Sequence, residues 1–222
     1  MRSRPVLRVR LTRGVDAALT AQLRADLLDA GYTVDRLRQL WGDESDAALA
    51  RGDRVPARRA LAQRAGGASG VDDSEAASIL ARVFLLGEAV PDAELQRALP
   101  TLGAAGAREL GLVDDDGRAL IDLRPYTSID AGGAVQWLIA SDLGEVALGT
   151  SLPPEHVLGV GGASLTLAAL IPTEPVDSVL DLGTGCGIPS LHAARHAERV
   201  VATDISDRAL ERARLTLALT AV

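Results

Sequence analysis

The residues whose types and spacing could do chemistry lie in one stretch of the sequence. Asp181, Gly183, Gly185 and Gly187 alternate with other residues, and Asp204 follows 21 residues after Gly183. Glycines let a backbone turn sharply and approach a ligand closely. A carboxylate about 20 residues further on, at the end of a neighbouring strand, can accept hydrogen bonds from both hydroxyls of a ribose. The spacing therefore indicates a site for a nucleoside cofactor.

The sequence around these residues predicts strands and helices that could position them. Residues 179–182 form a short apolar run typical of a buried parallel strand, and a helix is predicted over 188–197. A second buried strand is predicted over 199–203, and a second helix from about 206 to 219. This order predicts one β-α-β unit, in which a ligand binds outside the carboxyl ends of the strands.

The glycine string favours one nucleoside cofactor over another. The dinucleotide fingerprint G-x-G-x-x-G would need a glycine at position 188, where the chain has Ile188. The Asp181 carboxylate suits a cationic amino group and would repel a pyrophosphate. Both features favour S-adenosylmethionine, and an NAD-dependent oxidoreductase stays as a disfavoured alternative.

The string from Asp181 to Gly187 resembles motif I of the class I S-adenosylmethionine-dependent methyltransferases, and residues 201–206 resemble the motif that follows it. The likeness is greatest to the "small" group, which includes the release-factor glutamine and the rRNA or tRNA base-amino methyltransferases. The resemblance implies these cofactor-binding residues: Asp181, Gly183, Thr184, Gly185, Cys186, Gly187, Asp204 and Ile205. The glycines would wrap the methionyl and ribose parts, Asp181 would orient the amino group, Asp204 would hold the ribose hydroxyls, and Ile205 would lie against adenine.

The same resemblance implies parts that this sequence does not contain. The class I sheet has seven strands, and the small group carries its catalytic Asn-Pro-Pro-Tyr/Phe motif after the fourth. The 222 residues include no Asn and correspond to about one and a half domains of roughly 150 residues. We therefore expect an N-terminal fragment of a methyltransferase that acts on a nitrogen of a protein glutamine or a nucleic-acid base. The chain alone is expected to be inactive, with no catalytic residue of its own and an exposed apolar strand edge.

The expected fold class is α+β, in three segments. Residues 1–70 form a helical N-terminal domain, with a boundary at the glycine-rich run 66–70, and residues 71–130 a winged-helix-like module. In that module, three helices (the third capped by Thr101) precede a hairpin with its turn at 114–117. Residues 131–222 comprise strands over 134–149 and then the beginning of a Rossmann-like α/β methyltransferase domain, an incomplete S-adenosylmethionine-binding domain.

Charge is distributed unevenly between these segments. Residues 1–70 carry 13 Arg against 8 acids, a net +5, whereas residues 71–222 carry 10 Arg against 22 acids, a net −12. The basic part includes Arg2, Arg4, Arg8, Arg10 and Arg13. It could face a polyanion or simply form solvated helix surfaces. The acidic hairpin tip argues against DNA reading by the winged-helix-like module. The partner is therefore expected to be a methyl-acceptor protein or RNA, and the alternative function is an RNA- or protein-binding module with a vestigial cofactor site.

Composition excludes several other kinds of chemistry. The chain has no Lys, which rules out a lysine Schiff base and a P-loop lysine, and its one Cys rules out an internal disulfide framework. His192 and His196 have the i,i+4 spacing of a metal pair, but no third ligand is evident and solvated histidines are the simpler interpretation, so no metal is expected.

No apolar stretch is long enough to span a membrane and no signal peptide is evident, so a cytoplasmic location is expected.

Overall fold

The computed structural model describes residues 6–7, 16–66, 74–130, 133–148 and 150–220, and it confirms a mixed helix-and-strand architecture. The helices are α1 (Ala17–Asp29), α2 (Val34–Ala50), α3 (Val55–Gly66), α4 (Ser74–Phe84), α5 (Asp92–Ala98), α6 (Gly103–Glu109), α7 (Glu145–Leu148), α8 (Gly162–Leu170), α9 (Ile188–Ala193) and α10 (Asp207–Thr220). The strands are β1 (Val6–Leu7), β2 (Asp122–Asp130), β3 (Gly133–Ser141), β4 (Val176–Leu182) and β5 (Ala197–Thr203). The basic residues Arg2, Arg4, Arg8, Arg10 and Arg13, and the predicted linker beyond Gly66, lie outside the described residues.

The chain packs as two compact units. The sheet unit takes the described residues of 1–20, 126–142 and 153–222. The helical unit takes those of 21–125 and 143–152. Each unit has its own set of buried side chains, so each is described by itself below.

The core of the helical unit comes from apolar residues at helical spacing. Leu23 and Leu27 of α1 lie one turn apart and are buried, as are Leu80 and Phe84 of α4. Helix α2 is kinked at Gly42, which has a φ of 81° and a ψ of 161°. The kink lets both halves of α2 bury apolar residues while the chain changes direction.

The start of α6 is stabilised by a residue far away in sequence. The Asp26 carboxylate, only 1% exposed, accepts hydrogen bonds from the N–H groups of Thr101 at 3.0 and 3.1 Å and of Leu102 at 2.8 Å. The first N–H groups of a helix have no partner within the helix and need an acceptor. The prediction that Thr101 caps this helix is wrong, because no side chain of the local sequence caps α6 and Asp26 of α1 supplies the acceptor.

The predicted hairpin forms as a turn with little strand on either side. The Asp114 carboxylate accepts from the N–H groups of Asp116 and Arg118 at 3.0 and 2.9 Å, which fixes the turn. Gly117 there has a φ of 72°, a left-handed conformation that favours glycine. Only an isolated antiparallel bridge, Val113 to Ala119, joins the two arms. The chain then continues into β2, which extends past this turn to Asp130.

The sheet unit is built on a parallel sheet with the strand order β1-β5-β4. Strand β4 pairs in parallel with β5 from Val176 opposite Ala197 to Leu182 opposite Thr203, and α9 connects them, as predicted for a β-α-β unit. Strands β2 and β3 form a separate two-stranded sheet, and α10 packs against β3. The prediction of a second strand within 134–149 is wrong after residue 141, because residues 145–148 form the short helix α7.

Within the described residues, only one face of strand β4 is covered. Val179 packs towards α9 with Ala193, Ala194 and Val200. On the opposite face of the strand, Val176, Leu180 and Leu182 are exposed. Helix α8 is equally apolar, and none of its residues is buried. Strand β4 also lies at the edge of the sheet β1-β5-β4, so within the described residues it pairs with a strand on one side only, as expected.

A helix that crosses a membrane needs about 20 predominantly apolar residues. No helix within the residues the structure describes has both the length and the apolar character that a crossing needs.

Candidate functional site

The glycine loop lies between the end of β4 and the start of α9, and the end of β5 holds its backbone in place. The N–H groups of Gly183 and Thr184 both donate to the carbonyl oxygen of Thr203, at 2.8 and 2.9 Å. Gly183, Gly185 and Gly187 have φ values of 75°, 56° and 92°, in the left-handed region that side chains other than glycine rarely adopt. The loop is therefore a fixed turn whose shape depends on glycine.

Two of the glycines face open space. A Cβ atom added at Gly183 or Gly185 would meet no heavy atom of the described residues within 4 Å. A Cβ atom at Gly187 would instead lie 3.5 Å from Ala213 of α10. Gly183 and Gly185 thus leave room in front of the loop, whereas Gly187 is placed where α9 begins and α10 packs behind it.

Asp204 lies at the carboxyl end of β5 and is bonded directly to this loop. Its Oδ2 accepts from the N–H of Gly185 at 3.0 Å, and its Oδ1 accepts from the N–H of Ser206 at 2.9 Å. A carboxylate has about four acceptor positions, so each oxygen keeps one for a further donor. Ile205, the next residue, is fully exposed beside it. The acid, the loop and an apolar surface thus share one end of the sheet.

Asp181 belongs to a second hydrogen-bonded group in the same loop. Its Oδ2 accepts from the Ser190 hydroxyl at 2.6 Å, and the Ser190 and Thr184 hydroxyl oxygens are 3.1 Å apart. Thr184 and Ser190 are buried, so these hydroxyls fix the Asp181 carboxylate from its buried side. Ser190 was missed by the sequence reasoning. Its position in the first turn of the helix after the glycines was the available signal.

Cys186 points into the protein. Its side chain is buried in a cluster with Trp137, Ile188, Leu191 and Leu217. Its backbone therefore belongs to the loop while its thiol belongs to the core. The predicted residues form two hydrogen-bonded groups at one end of the sheet. Gly185 is bonded to Asp204, whereas Thr184 and Asp181 are connected through the Ser190 hydroxyl. Ile205 is exposed beside Asp204, Cys186 lies in the core and Gly187 lies against α10.

A buried aromatic group lies in the same core. His192 is buried, with its Nε2 3.0 Å from the Tyr126 hydroxyl and its ring centroid 4.9 Å from that of Trp137. The interpretation of His192 as a solvated helix histidine is wrong, because α9 turns this side chain towards β2 and β3. In the described part of the chain, no group of His, Cys, Asp or Glu side chains is arranged to hold a metal ion.

A charged cluster on Asp142 lies near the loop that precedes α8. Asp142 is buried and accepts from the Nε atoms of Arg208 and Arg212 at 2.5 and 2.9 Å, and from the Val157 N–H at 3.0 Å. Burial raises the pKa of Asp142, but the hydrogen bonds from Arg208, Val157 and Arg212 outweigh it, so the pKa lies below its ordinary value. The carboxylate therefore stays charged inside the sheet unit.

The helical unit has a cleft of its own, of about 340 Å³. Its charged lining includes Asp46, Asp122 and Arg124, and Trp41 contributes an indole. Arg124 pairs with Asp122 at 2.9 Å, and the Trp41 N–H donates to Asp46 at 3.3 Å. Tyr32 lies outside this lining, and burial, together with the nearby Asp122 charge, raises its pKa well above the ordinary value. Because these polar groups satisfy one another, the cleft is a weaker candidate than the glycine loop.

Comparison with known proteins gives one finding for the helical unit. Residues 29–124 match a family described as a domain of unknown function, DUF7059. No curated protein matches the chain. The matched segment lies within the helical unit and does not include the glycine loop.

Proposed function

We propose that this chain carries the cofactor-binding part of a class I S-adenosylmethionine-dependent methyltransferase. The observation that carries the proposal is the bond between Asp204 and the Gly185 N–H, which joins the acid after β5 to the glycine loop after β4. In this proposal β4, α9 and β5 begin a Rossmann-like domain, and α4 to α6 with the turn at 114–117 form a winged-helix-like module. The acceptor is a nitrogen of a protein glutamine or of a nucleic-acid base.

The residues at the loop fit such a cofactor. The open space at Gly183 and Gly185 would admit the methionyl and ribose parts against bare backbone. Asp204 keeps acceptor positions for the ribose hydroxyls, and the exposed Ile205 offers an apolar surface to adenine. Asp181 would receive the cationic amino group directly or through water. The bound cofactor would supply an electrophilic methyl group.

The protein's own contribution to methyl transfer would be alignment. Because the loop is fixed by bonds to Thr203 and Asp204, it would hold a bound cofactor in one orientation without further rearrangement. Holding two reactants in the right geometry is a large source of rate enhancement in reactions of this type.

Calorimetric titration with S-adenosylhomocysteine, with NAD as the comparison ligand, tests the proposal. We expect saturable binding of S-adenosylhomocysteine, none of NAD, and loss of binding in Asp204→Ala. The matched control is Asp177→Ala, which removes an exposed carboxylate near the other end of β4 and should bind as the wild type does.

Three results would contradict the proposal. Preferential binding of NAD would favour the oxidoreductase alternative. A folded chain that binds neither ligand would favour a protein- or RNA-binding module with a vestigial site. Equal losses in Asp204→Ala and Asp177→Ala would show that the loop is not where the ligand binds.

A further inference from the structure

We propose that Asp142 is a positioning residue for the cofactor cleft, which it shapes by fastening the segment 157–161 to the first turns of α10. This inference rests on the proposed function, because it names a residue that would set the geometry of that same site. It concerns a residue that neither the glycine motif nor the acid after β5 includes.

The Asp142 side chain is a junction of three parts of the sheet unit. It is 3% exposed and follows directly after the last residue of β3. Its carboxylate takes hydrogen bonds from Val157 and from Arg208 and Arg212 of α10. In addition, the Asp142 N–H donates to the Val157 carbonyl oxygen at 3.1 Å. Residues 142 and 157 are therefore clamped together by backbone and side chain alike.

On one side, the junction connects to residues packed around the glycine loop. Val157 is buried in the same apolar cluster as Cys186 and Ile188, and Val160 packs against that cluster. Gly159 lies so close to β3 that a Cβ atom there would come within 2.4 Å of the Ser141 Oγ. The segment therefore lies against the end of β3, and its valines belong to the apolar cluster that also takes in Cys186 of the glycine loop.

On the other side, the junction connects to the segment that follows the acid after β5. Arg208 follows Asp204 by four residues and lies in the first turn of α10. Asp142 thus joins the segment before α8 to the segment after Asp204, and Asp204 is the residue bonded to the glycine loop. Asp204 itself keeps its bonds to Gly185 and Ser206 without Asp142, so the ribose side of the site does not depend on this junction.

A purely structural role would predict something different from a positioning role. Loss of a stabilising ion pair would weaken every ligand of the site equally, through the fraction of folded protein. Loss of the fastening at 157–161 would weaken the ligand that reaches along the glycine loop more than the one held mainly at Asp204 and Ile205. S-adenosylhomocysteine and adenosine differ in this way, since adenosine lacks the amino-acid portion.

The experiment measures the dissociation constants of S-adenosylhomocysteine and adenosine for wild type, Asp142→Asn and Asp122→Asn by calorimetry. Asp122 is the matched control, because it is also a buried carboxylate paired with an arginine but lies in the helical unit. We expect Asp142→Asn to weaken S-adenosylhomocysteine about tenfold and adenosine by less than about twofold, since the amide loses the negative charge and one of the two acceptor oxygens that hold the junction together. Asp122→Asn should change neither.

A second variant covers the case in which Asp142→Asn does not fold. The Arg208 side chain is 46% exposed, so Arg208→Gln should fold while removing one bond of the junction. We expect a smaller loss of about threefold, again confined to S-adenosylhomocysteine. Equal weakening of both ligands, or no weakening by either variant, would overturn the inference alone. Failure of the wild type to bind either ligand would overturn the proposed function and this inference with it.

Discussion

The substitution Gly185→Ala separates the ligand-binding role of the glycine loop from its backbone strain. Gly185 has a φ of 56°, and a Cβ atom there would meet none of the described residues within 4 Å. The cost to folding is therefore the strain of a left-handed alanine, about 1–2 kcal/mol, with no contribution from a clash. The alanine also restricts the unfolded chain, which offsets about 0.4–1 kcal/mol. We expect the free energy of unfolding of the sheet unit to fall by about 1 kcal/mol.

Cofactor binding should fall by much more than stability. The added methyl group would occupy the space in which the proposed function places the cofactor, so we expect S-adenosylhomocysteine to bind at least about tenfold more weakly, a loss of about 1.4 kcal/mol or more. Gly111→Ala is the matched control, because Gly111 has a φ of 67° and equally open surroundings but lies in the helical unit. It should cost the same stability and leave binding unchanged.

Urea unfolding and calorimetry on the two variants measure both quantities. Wild-type affinity in Gly185→Ala would refute the reasoning, because the ligand would then not approach this glycine. A stability loss several times larger in Gly185→Ala than in Gly111→Ala would refute the strain argument instead. In that case the loop would depend on contacts other than those described.

Three further predictions concern stability and surface properties. Asp26→Ala should lower the free energy of unfolding of the helical unit by about 3 kcal/mol, because it leaves buried N–H groups at the start of α6 without an acceptor. Urea unfolding measures this loss, and an unchanged midpoint would contradict the capping role of Asp26. The lowered pKa of Asp142 implies stability that is full above its unfolded pKa of about 3.9 and is lost as the pH falls through the lower folded value. When thermal unfolding is measured between about pH 2 and 7, the melting temperature of Asp142→Asn should therefore fall less steeply at acid pH than that of the wild type. Leu182 is 76% exposed, so Leu182→Ser should change the free energy of unfolding by less than about 0.5 kcal/mol but reduce self-association. Light scattering measures the self-association, and unchanged scattering would show that this face of β4 does not mediate it.

The β-α-β unit was predictable because its signals are local. The apolar run before Gly183 and the one before Asp204 are each short and bounded by turn residues, and both form the predicted strands. The spacing of the glycines also predicted a loop between strand and helix, and the structure confirms this loop, in which all three glycines have positive φ values. Parallel pairing then follows, since two strands joined by one helix can pair side by side in this way.

The errors fall where a distant residue decides the local structure. Thr101 is a good helix cap by residue type, yet the acceptor comes from Asp26, 75 positions away. His192 lies on a helix that could have been solvated, but Tyr126 and Trp137 bury it. The apolar residues near position 146 suit a strand, but they form a short helix after β3 has ended. Spacing along the chain contains no information about such partners.

Asp204 combines two tasks that a single substitution cannot separate. Its Oδ2 fixes the Gly185 N–H, so it shapes the loop before any ligand is present, and the same carboxylate is the proposed acceptor for the ribose hydroxyls. An affinity lost in Asp204→Ala therefore includes the cost of a relaxed loop as well as the missing ligand contact. Gly185→Ala keeps the carboxylate and fills the space in front of the loop, with the strain of one left-handed alanine as its only other effect. If both variants lose S-adenosylhomocysteine and only Asp204→Ala also loses adenosine, the ribose contact belongs to the carboxylate and the close approach belongs to the glycine.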